Sequence, residues 1–313
     1  MAVLFGYHMP NFTFPDTPPE RLFDRVATMT QAAESAGFDF VTVMDHFYQI
    51  GPVGPETEPM LEAYATLSGL AARTERVRLS TLVTGVTYRN PALLAKTATT
   101  LDIISKGRAI MGIGAAWNES EHVGYGFEFP PVRERMDRLD EALTILRLMF
   151  TEQRPSFEGR YYRIARALNE PRPIQPGGPK ILVGGGGEKR TLRLAARHAD
   201  MTHWFVASVD EFKRKSSVFE EHCRAEGRDP SRVVRTIGAP LTLVLDEQQA
   251  REMSQRIPPE RLAAAPVVTP ERGAEILREY AAAGAQGFTF RNVNLTTPEL
   301  LQAAGSIKAM LGG

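Results

Sequence analysis

Cysteine is nearly absent from this chain: Cys223 is the one example among 313 residues. That excludes an internal disulfide framework and suits a reducing cytosol, so a cytoplasmic protein is expected. Its neighbours Glu220, Glu221, His222 and Arg224 read as an exposed helix face. An excess of one charge is missing too. Thirty-seven basic residues balance thirty-seven acidic ones, which leaves no field to draw in nucleic acid or an anionic membrane. No apolar run approaches the ~20 residues of a membrane span, and no basic, apolar leader opens the sequence. Strand ends carry no lysine for Schiff-base chemistry. They also lack the several histidines and carboxylates of a metal hydrolase, so no metal is expected.

What is present is an unbroken strand–helix alternation. Strands are expected at 3–8, 38–44, 77–83, 109–114, 181–183, 201–206, 235–245 and 287–293. Helices are expected at about 19–36, 60–73, 91–105, 133–150 and 270–283, and at the C-terminus. Eight short apolar strands, each followed by a helical period, predict parallel βα units and a (β/α)8 TIM-type barrel. With no low-complexity linker, residues 1–313 form a single domain. Segments near 117–132, 151–179 and 246–268 exceed ordinary loop length and are expected as insertions at the C-terminal face of the strands. The apolar residues Leu61, Ala65, Leu67, Leu70 and Ala71 in the second helix fit either a dimer face or packing on the barrel.

The most distinctive local pattern is the apolar run Ile181-Leu182-Val183 leading into Gly184, Gly185, Gly186 and Gly187, with a helix opening near Thr191. Glycines allow a sharp turn and bring bare N–H groups up to a ligand at the positive end of a helix, which suits a phosphate. The spaced G-x-G-x-x-G dinucleotide fingerprint is not there.

In a barrel the strand C-terminal ends carry the chemistry. Here those ends hold His8 and Asn11; Asp45 and His46; Thr81, Thr84 and Tyr88; Gly114, Trp117 and Asn118; the four glycines; Trp204; and Arg291 and Asn292. An anion cradle without an evident nucleophile or metal implies that a bound cofactor supplies the reactivity.

Several segments carry a family resemblance: Val43-Met44-Asp45-His46-Phe47, the stretch from Leu82 to Pro91, Gly112-Ile113-Gly114-Ala115-Ala116-Trp117-Asn118, Phe129-Pro130-Pro131, and Pro179 to Gly187. In this order they resemble the bacterial-luciferase-like oxidoreductases, most closely the branch dependent on coenzyme F420. The resemblance implies hydride transfer between coenzyme F420 and a small organic substrate, in a homodimer supplied by a flavin or F420 reductase. Two alternatives stay open: a two-component FMN-dependent monooxygenase using reduced flavin and oxygen, and a non-catalytic flavin-binding protein. By the same resemblance, Thr81, Leu82 and Val83 form a bulge with a non-proline cis peptide behind the ring. Gly114, Ala115 and Asn118 meet the ribityl and phosphate region, and Gly184 to Gly187 receive the phosphate. His46 stands beside the reactive ring carbon, with Asp45 orienting it. The chain departs from the sugar-phosphate dehydrogenase type, with Ile50 and Trp117 where that type has a tryptophan and a glutamate. A sugar phosphate is therefore not the expected substrate.

Overall fold

The computed structural model describes residues 3–291, 295 and 297–312. Eight parallel strands close into a barrel: β1 (Leu4–Met9), β2 (Phe40–Val43), β3 (Arg78–Thr81), β4 (Ala109–Gly114), β5 (Lys180–Gly184), β6 (Met201–Trp204), β7 (Val234–Gly238) and β8 (Gly287–Phe290). Strands pair in the order 3-2-1-8-7-6-5-4, and β3 closes onto β4 with Leu79 opposite Ala109 and Ser80 opposite Ile110. The surrounding helices are α1 (Leu22–Ser35), α2 (Ala63–Arg73), α3 (Pro91–Ile104), α4 (Glu119–Tyr125), α5 (Val132–Thr151), α6 (Thr191–His198), α7 (Val209–Ala225), α8 (Glu247–Ser254), α9 (Pro259–Ala264), α10 (Pro270–Ala282) and α11 (Pro298–Met310). Their starts are chemically explicit. Asn90 accepts from the Ala92 and Leu93 N–H groups ahead of Pro91, and Ser208 accepts from the Glu211 N–H, which satisfies donors a helix start leaves open.

Alternation along the strands sorts the barrel into two apolar sets. Outward residues such as Phe5, Val41, Leu79, Met111, Val183 and Phe288 join the helices in one large core. Inward residues Phe40, Ile110, Leu182 and Met201 form a separate floor inside the barrel, packed by Leu4, Leu82, Val83 and Val234. Further toward the C-terminal ends, the inward positions become small or polar: His8, Thr42, Gly112, Gly114, Gly184, His203, Thr236, Gly238 and Thr289. The barrel is thus plugged below and open above.

Some of these expectations change. The seventh strand ends at Gly238, and Thr242–Leu243 forms a separate parallel pair with Val267–Val268; Pro240, which has no N–H to donate, stands between them. Residues 151–179 follow a helix, so they start at the opposite end of the barrel and run along its flank. Asn169 donates to Met149 O, and Ile174 and Gln175 N–H groups reach Asp102. The short hairpin of Phe157–Glu158 and Arg163–Ile164 climbs highest, with Tyr162 Oη 3.4 Å from Val86 O. The insertions at 117–132 and 246–268 do follow strand C-terminal ends, and they carry α4, α8 and α9. Leu67, Leu70 and Ala71 of α2 are buried in the chain's own core, so that apolar stripe serves barrel packing. Cys223 is buried with Phe212 and Phe219. These residues recur on one face of α7, while the charged neighbours point away.

Gly112 illustrates how tightly the wall is built: a Cβ there would overlap the Thr81 carbonyl oxygen on β3. Gly112→Ala is expected to lower the unfolding free energy by about 1–3 kcal/mol through overpacking, measured by denaturant titration. An unchanged midpoint would show that the β3–β4 wall has room to spare.

Candidate active site

His46, just beyond β2, turns its Nδ1 to Glu121 Oε2 at 2.7 Å. Glu121 lies on α4 and is fully buried. Its other oxygen accepts the backbone N–H groups of Phe47 and, at 3.0 Å, Tyr48, while Tyr88 Oη donates to Oε2 at 3.0 Å. Burial alone would raise the Glu121 pKa; the His46 hydrogen bond and charge and the two backbone donors outweigh it and hold the carboxyl below its ordinary value. The carboxylate thus fixes the imidazole so that Nε2 is the free nitrogen. That ring stands edge-on to Trp117, with centroids 5.5 Å apart. Trp117 is exposed and lines, with Ile50, Pro52, Pro55 and Asn118, a recess of about 540 Å³.

Asp45 does something else. Its carboxylate is held bidentately by Arg89 at 2.6 and 3.0 Å, and Arg89 also meets Glu62 at 2.6 Å. Burial lowers the Arg89 pKa, but the Asp45 charge and hydrogen bonds more than reverse this, so its pKa stands above the usual value. The expectation that Asp45 orients His46 is therefore corrected: adjacent residues turn to opposite sides, and the carboxylate at His46 is Glu121. Thr81 is likewise committed, its hydroxyl bonding Gly112 O and Thr84 Oγ1, both at 2.9 Å.

The peptide bond between Leu82 and Val83 is cis. The Val83 side chain lies where Cβ atoms of Gly114 and Gly184 would stand, at 2.9 and 2.8 Å. Those two glycines make room for it. Ala115 packs partly buried on the core. Asn118 precedes α4 without capping it by its side chain; its carbonyl meets His122 Nδ1 at 2.6 Å.

In the glycine loop, Gly185 carries the positive φ, +116°, and its N–H bonds His203 O at 3.0 Å. The left-handed requirement thus falls on Gly185, with Gly186 held otherwise. Lys215 Nζ donates to Gly186 O at 2.8 Å. In a trans peptide the C=O and N–H point in opposite directions, so the Gly187 N–H faces away from Lys215. Among the described residues no acceptor is aligned with the Gly186 or Gly187 N–H. Both remain available to an anion.

On the other side of the mouth, sequence reading named His8 and Arg291 but missed His203. It singled out Trp204, but Trp204 is fully buried and packs outward on Phe212 and Phe219. One residue earlier, His203 points inward. His203 Nδ1 lies 3.0 Å from Thr236 Oγ1, and His8 Nδ1 lies 2.8 Å from Thr42 Oγ1. Burial pushes both imidazole pKa values down to about 3, helped by the Arg291 charge. Arg291 lies beyond β8, its guanidinium 4.3 Å from the centre of the Phe205 ring. Asn292 falls outside the described residues. Among the described residues no cluster of three His, Cys, Asp or Glu could hold a metal, and no helix is long and apolar enough to cross a membrane.

A parallel (β/α)8 barrel with a floor below, a half-buried histidine held by a buried glutamate at its mouth and an anion-ready glycine loop defines a ligand-binding barrel of the enzyme type. The luciferase-like monooxygenase family matches residues 3–287, and the chain belongs to that family. It is 32% identical over 298 residues to an F420-dependent glucose-6-phosphate dehydrogenase of Intrasporangium calvum, covering 84% of this chain and 85% of that one. The enzyme of the same name from Kineococcus radiotolerans is 34% identical over 235 residues, spanning 73% of this chain and 66% of its own length. The solved structure of an F420-dependent secondary alcohol dehydrogenase with an F420-acetone adduct shares the fold, with a TM-score of 0.78 at 21% identity over 98% of both chains.

The two neutral histidines make stability sensitive to acid. Their folded pKa, about 3, lies below the ordinary 6.5, so the unfolded chain takes up protons first as pH falls. Stability from these groups is full above pH 6.5 and declines from there toward pH 3. Denaturant midpoints at pH 7.5, 6.5 and 5.5, above the range in which most carboxylates titrate, are expected to fall across the last step. The decline is expected to shrink in His8→Asn/His203→Asn, and an equal decline in that variant would clear the histidines.

Proposed function

We propose that this protein is an oxidoreductase that moves a hydride between coenzyme F420 and a small organic substrate. The observation that carries it is the His46–Glu121 pair at the barrel mouth, together with the F420-dependent relatives named above. The residues present fit such a coenzyme. Gly186 and Gly187 offer two unmatched N–H groups for its phosphate, and Val83, seated between Gly114 and Gly184, forms an apolar backing at the mouth. When bound, the coenzyme supplies a two-electron centre that gives or accepts hydride.

In this proposal, Glu121 holds His46 through Nδ1, and His46 Nε2 gives or takes the proton that accompanies hydride transfer. Trp117 stands beside the imidazole ring. Asp45, with Arg89, fixes the backbone from which His46 projects. Lys215 holds the Gly184 to Gly187 loop through Gly186 O so that the Gly186 and Gly187 N–H groups receive the phosphate, and Leu82, Val83, Gly114, Ala115 and Asn118 bound the ring and its chain. A second reading, reduced FMN with oxygen, rests on the monooxygenase description of the family; a non-catalytic flavin binder is the third.

Titration with coenzyme F420 and with FMN, followed by Trp117 fluorescence and then turnover, separates the three. Tight F420 binding with hydride transfer is expected, and F420 binding no tighter than FMN would overturn the reading. His46→Ala is expected to lower turnover by about 10²–10⁴-fold with cofactor affinity little changed. Parental turnover in a variant with a lowered thermal midpoint would make His46 structural.

The same proposal includes a cytoplasmic homodimer with a reductase that supplies reduced cofactor. It rests on the family resemblance, on a lone buried thiol, and on the exposed apolar side chains of Val123, Tyr125 and Val132 near the mouth. Sedimentation at micromolar protein is expected to give a dimer, and a monomer would reject it.

A further inference from the structure

Beyond His46 and the glycine loop, the mouth has a second built region at the ends of β6, β7, β8 and β1. By strand alternation His203, Thr289, Arg291 and His8 all face inward there. His203 Nε2 and Thr289 Oγ1 are buried and have no hydrogen-bond partner. A buried polar atom without a partner costs on folding, and such atoms are kept where a ligand completes them. Phe205 stands between the two sides of this region, its ring 5.1 Å from the His203 ring and beneath the Arg291 guanidinium. Gly238 gives this group its room: a Cβ there would lie 3.0 Å from Phe205 Cδ1 and 3.5 Å from Arg291 Nε.

Charge accounting at the mouth leaves Arg291 without a carboxylate partner. Arg89 is matched by Asp45 and Glu62, Lys215 by Glu188 and Glu211, and Arg214 by Glu188. Arg291 forms no ion pair with any described residue. It remains accessible to solvent, while partial desolvation by the surrounding protein lowers its pKa. Its neighbours His8 and His203 are neutral, so they add hydrogen-bonding capacity without adding charge.

We propose that Arg291, stacked on Phe205 and flanked by His203 and His8, is a recognition site for a carboxylate carried by the substrate. The charge balance chooses the class. One unmatched guanidinium balances one negative charge and offers two parallel N–H donors to two oxygens. A phosphate monoester carries close to two charges, and the neutral imidazoles leave the second uncompensated. The site lies around the barrel from the glycine loop, on β8 instead of β5, so substrate and cofactor anions have separate anchors. This inference rests on the reading of the mouth as the reaction site, and it refines which molecules enter.

Benzoate, its neutral isostere benzamide and phenyl phosphate serve as probes, at constant ionic strength, with binding read by Trp117 fluorescence and calorimetry. Benzoate is expected to bind about 10–100-fold more tightly than benzamide, the usual worth of a hydrogen bond to a charged partner. Arg291→Met is expected to abolish that preference and Arg291→Lys to restore part of it, while coenzyme F420 affinity stays within about twofold. Equal binding of benzoate and benzamide, a preference that survives Arg291→Met, or tighter binding of phenyl phosphate would each overturn the carboxylate site. Coenzyme titration of the same variants keeps the two readings distinct: lost benzoate selectivity with intact F420 binding overturns this inference alone, and absent F420 binding in the parent protein overturns the proposed function.

Discussion

The active face depends first on the burial of one carboxylate. Glu121 has no solvent contact, yet it gathers an imidazole, two backbone N–H groups and a phenol hydroxyl. A buried carboxylate is tolerable when its lone pairs are filled by donors, and the donors here come from two separate turns of the chain. His46, Phe47 and Tyr48 belong to the turn after β2; Tyr88 belongs to the turn before α3; Glu121 itself rides on α4. Three connections that would otherwise move independently are therefore tied at one point. Around it stand Phe47, Tyr88, Tyr125 and Phe127, with the Phe47 ring 4.8 Å from Tyr88 and 4.5 Å from Tyr125. This aromatic cover excludes water and strengthens the hydrogen bonds beneath it.

The second constraint is the change of side-chain size along the barrel axis. Phe40, Ile110, Leu182 and Met201 fill the lower interior as an ordinary close-packed core. Above them glycines on β4 and β5 face histidines and threonines on β1, β2, β6, β7 and β8. The glycine side admits the Val83 side chain and leaves backbone N–H groups bare. The histidine side supplies hydrogen bonds from rings held neutral by burial. A flat ligand entering this mouth meets backbone on one wall and side chains on the other, so one wall suits invariant ligand parts and the other suits selection by chemistry.

Much of this was legible in the sequence, for a reason rooted in periodicity. Eight apolar runs, each with a helical period behind it, have few other compact solutions, and the barrel followed. The Gly184 to Gly187 loop was visible because four adjacent glycines have no use in a regular strand or helix. What sequence could not show was direction. Asp45 and His46 are neighbours in the chain, but successive side chains diverge, and the carboxylate that reaches His46 is 75 residues away on α4. Trp204 drew attention as the larger residue, whereas the inward position is His203; a shift of one residue exchanges the faces of a strand. Residues 151–179 looked like a lid because of their prolines and length. Their place in the order, after a helix and before a strand, puts their start at the far end of the barrel, and this was the signal available to correct it.

The same contrast explains how rigidity is distributed around the mouth. On the β2–β4 side nearly every charge is matched: Asp45 with Arg89, Glu121 with His46, Glu62 again with Arg89. Matched, buried pairs fix geometry because separating either partner leaves an uncompensated charge in a low-dielectric setting. That side holds the His46 imidazole to a narrow range of positions. On the β6–β8 side the inward polar groups are left incomplete, with His203 Nε2 and Thr289 Oγ1 unpartnered. Incomplete groups carry a folding cost that a bound molecule relieves, and the relief is largest for a ligand whose oxygens meet them all. Under the proposed function, precision of chemistry and choice of ligand reside on opposite walls of one barrel, and a substitution on the second wall changes what binds without disturbing the hydrogen bonds that hold His46.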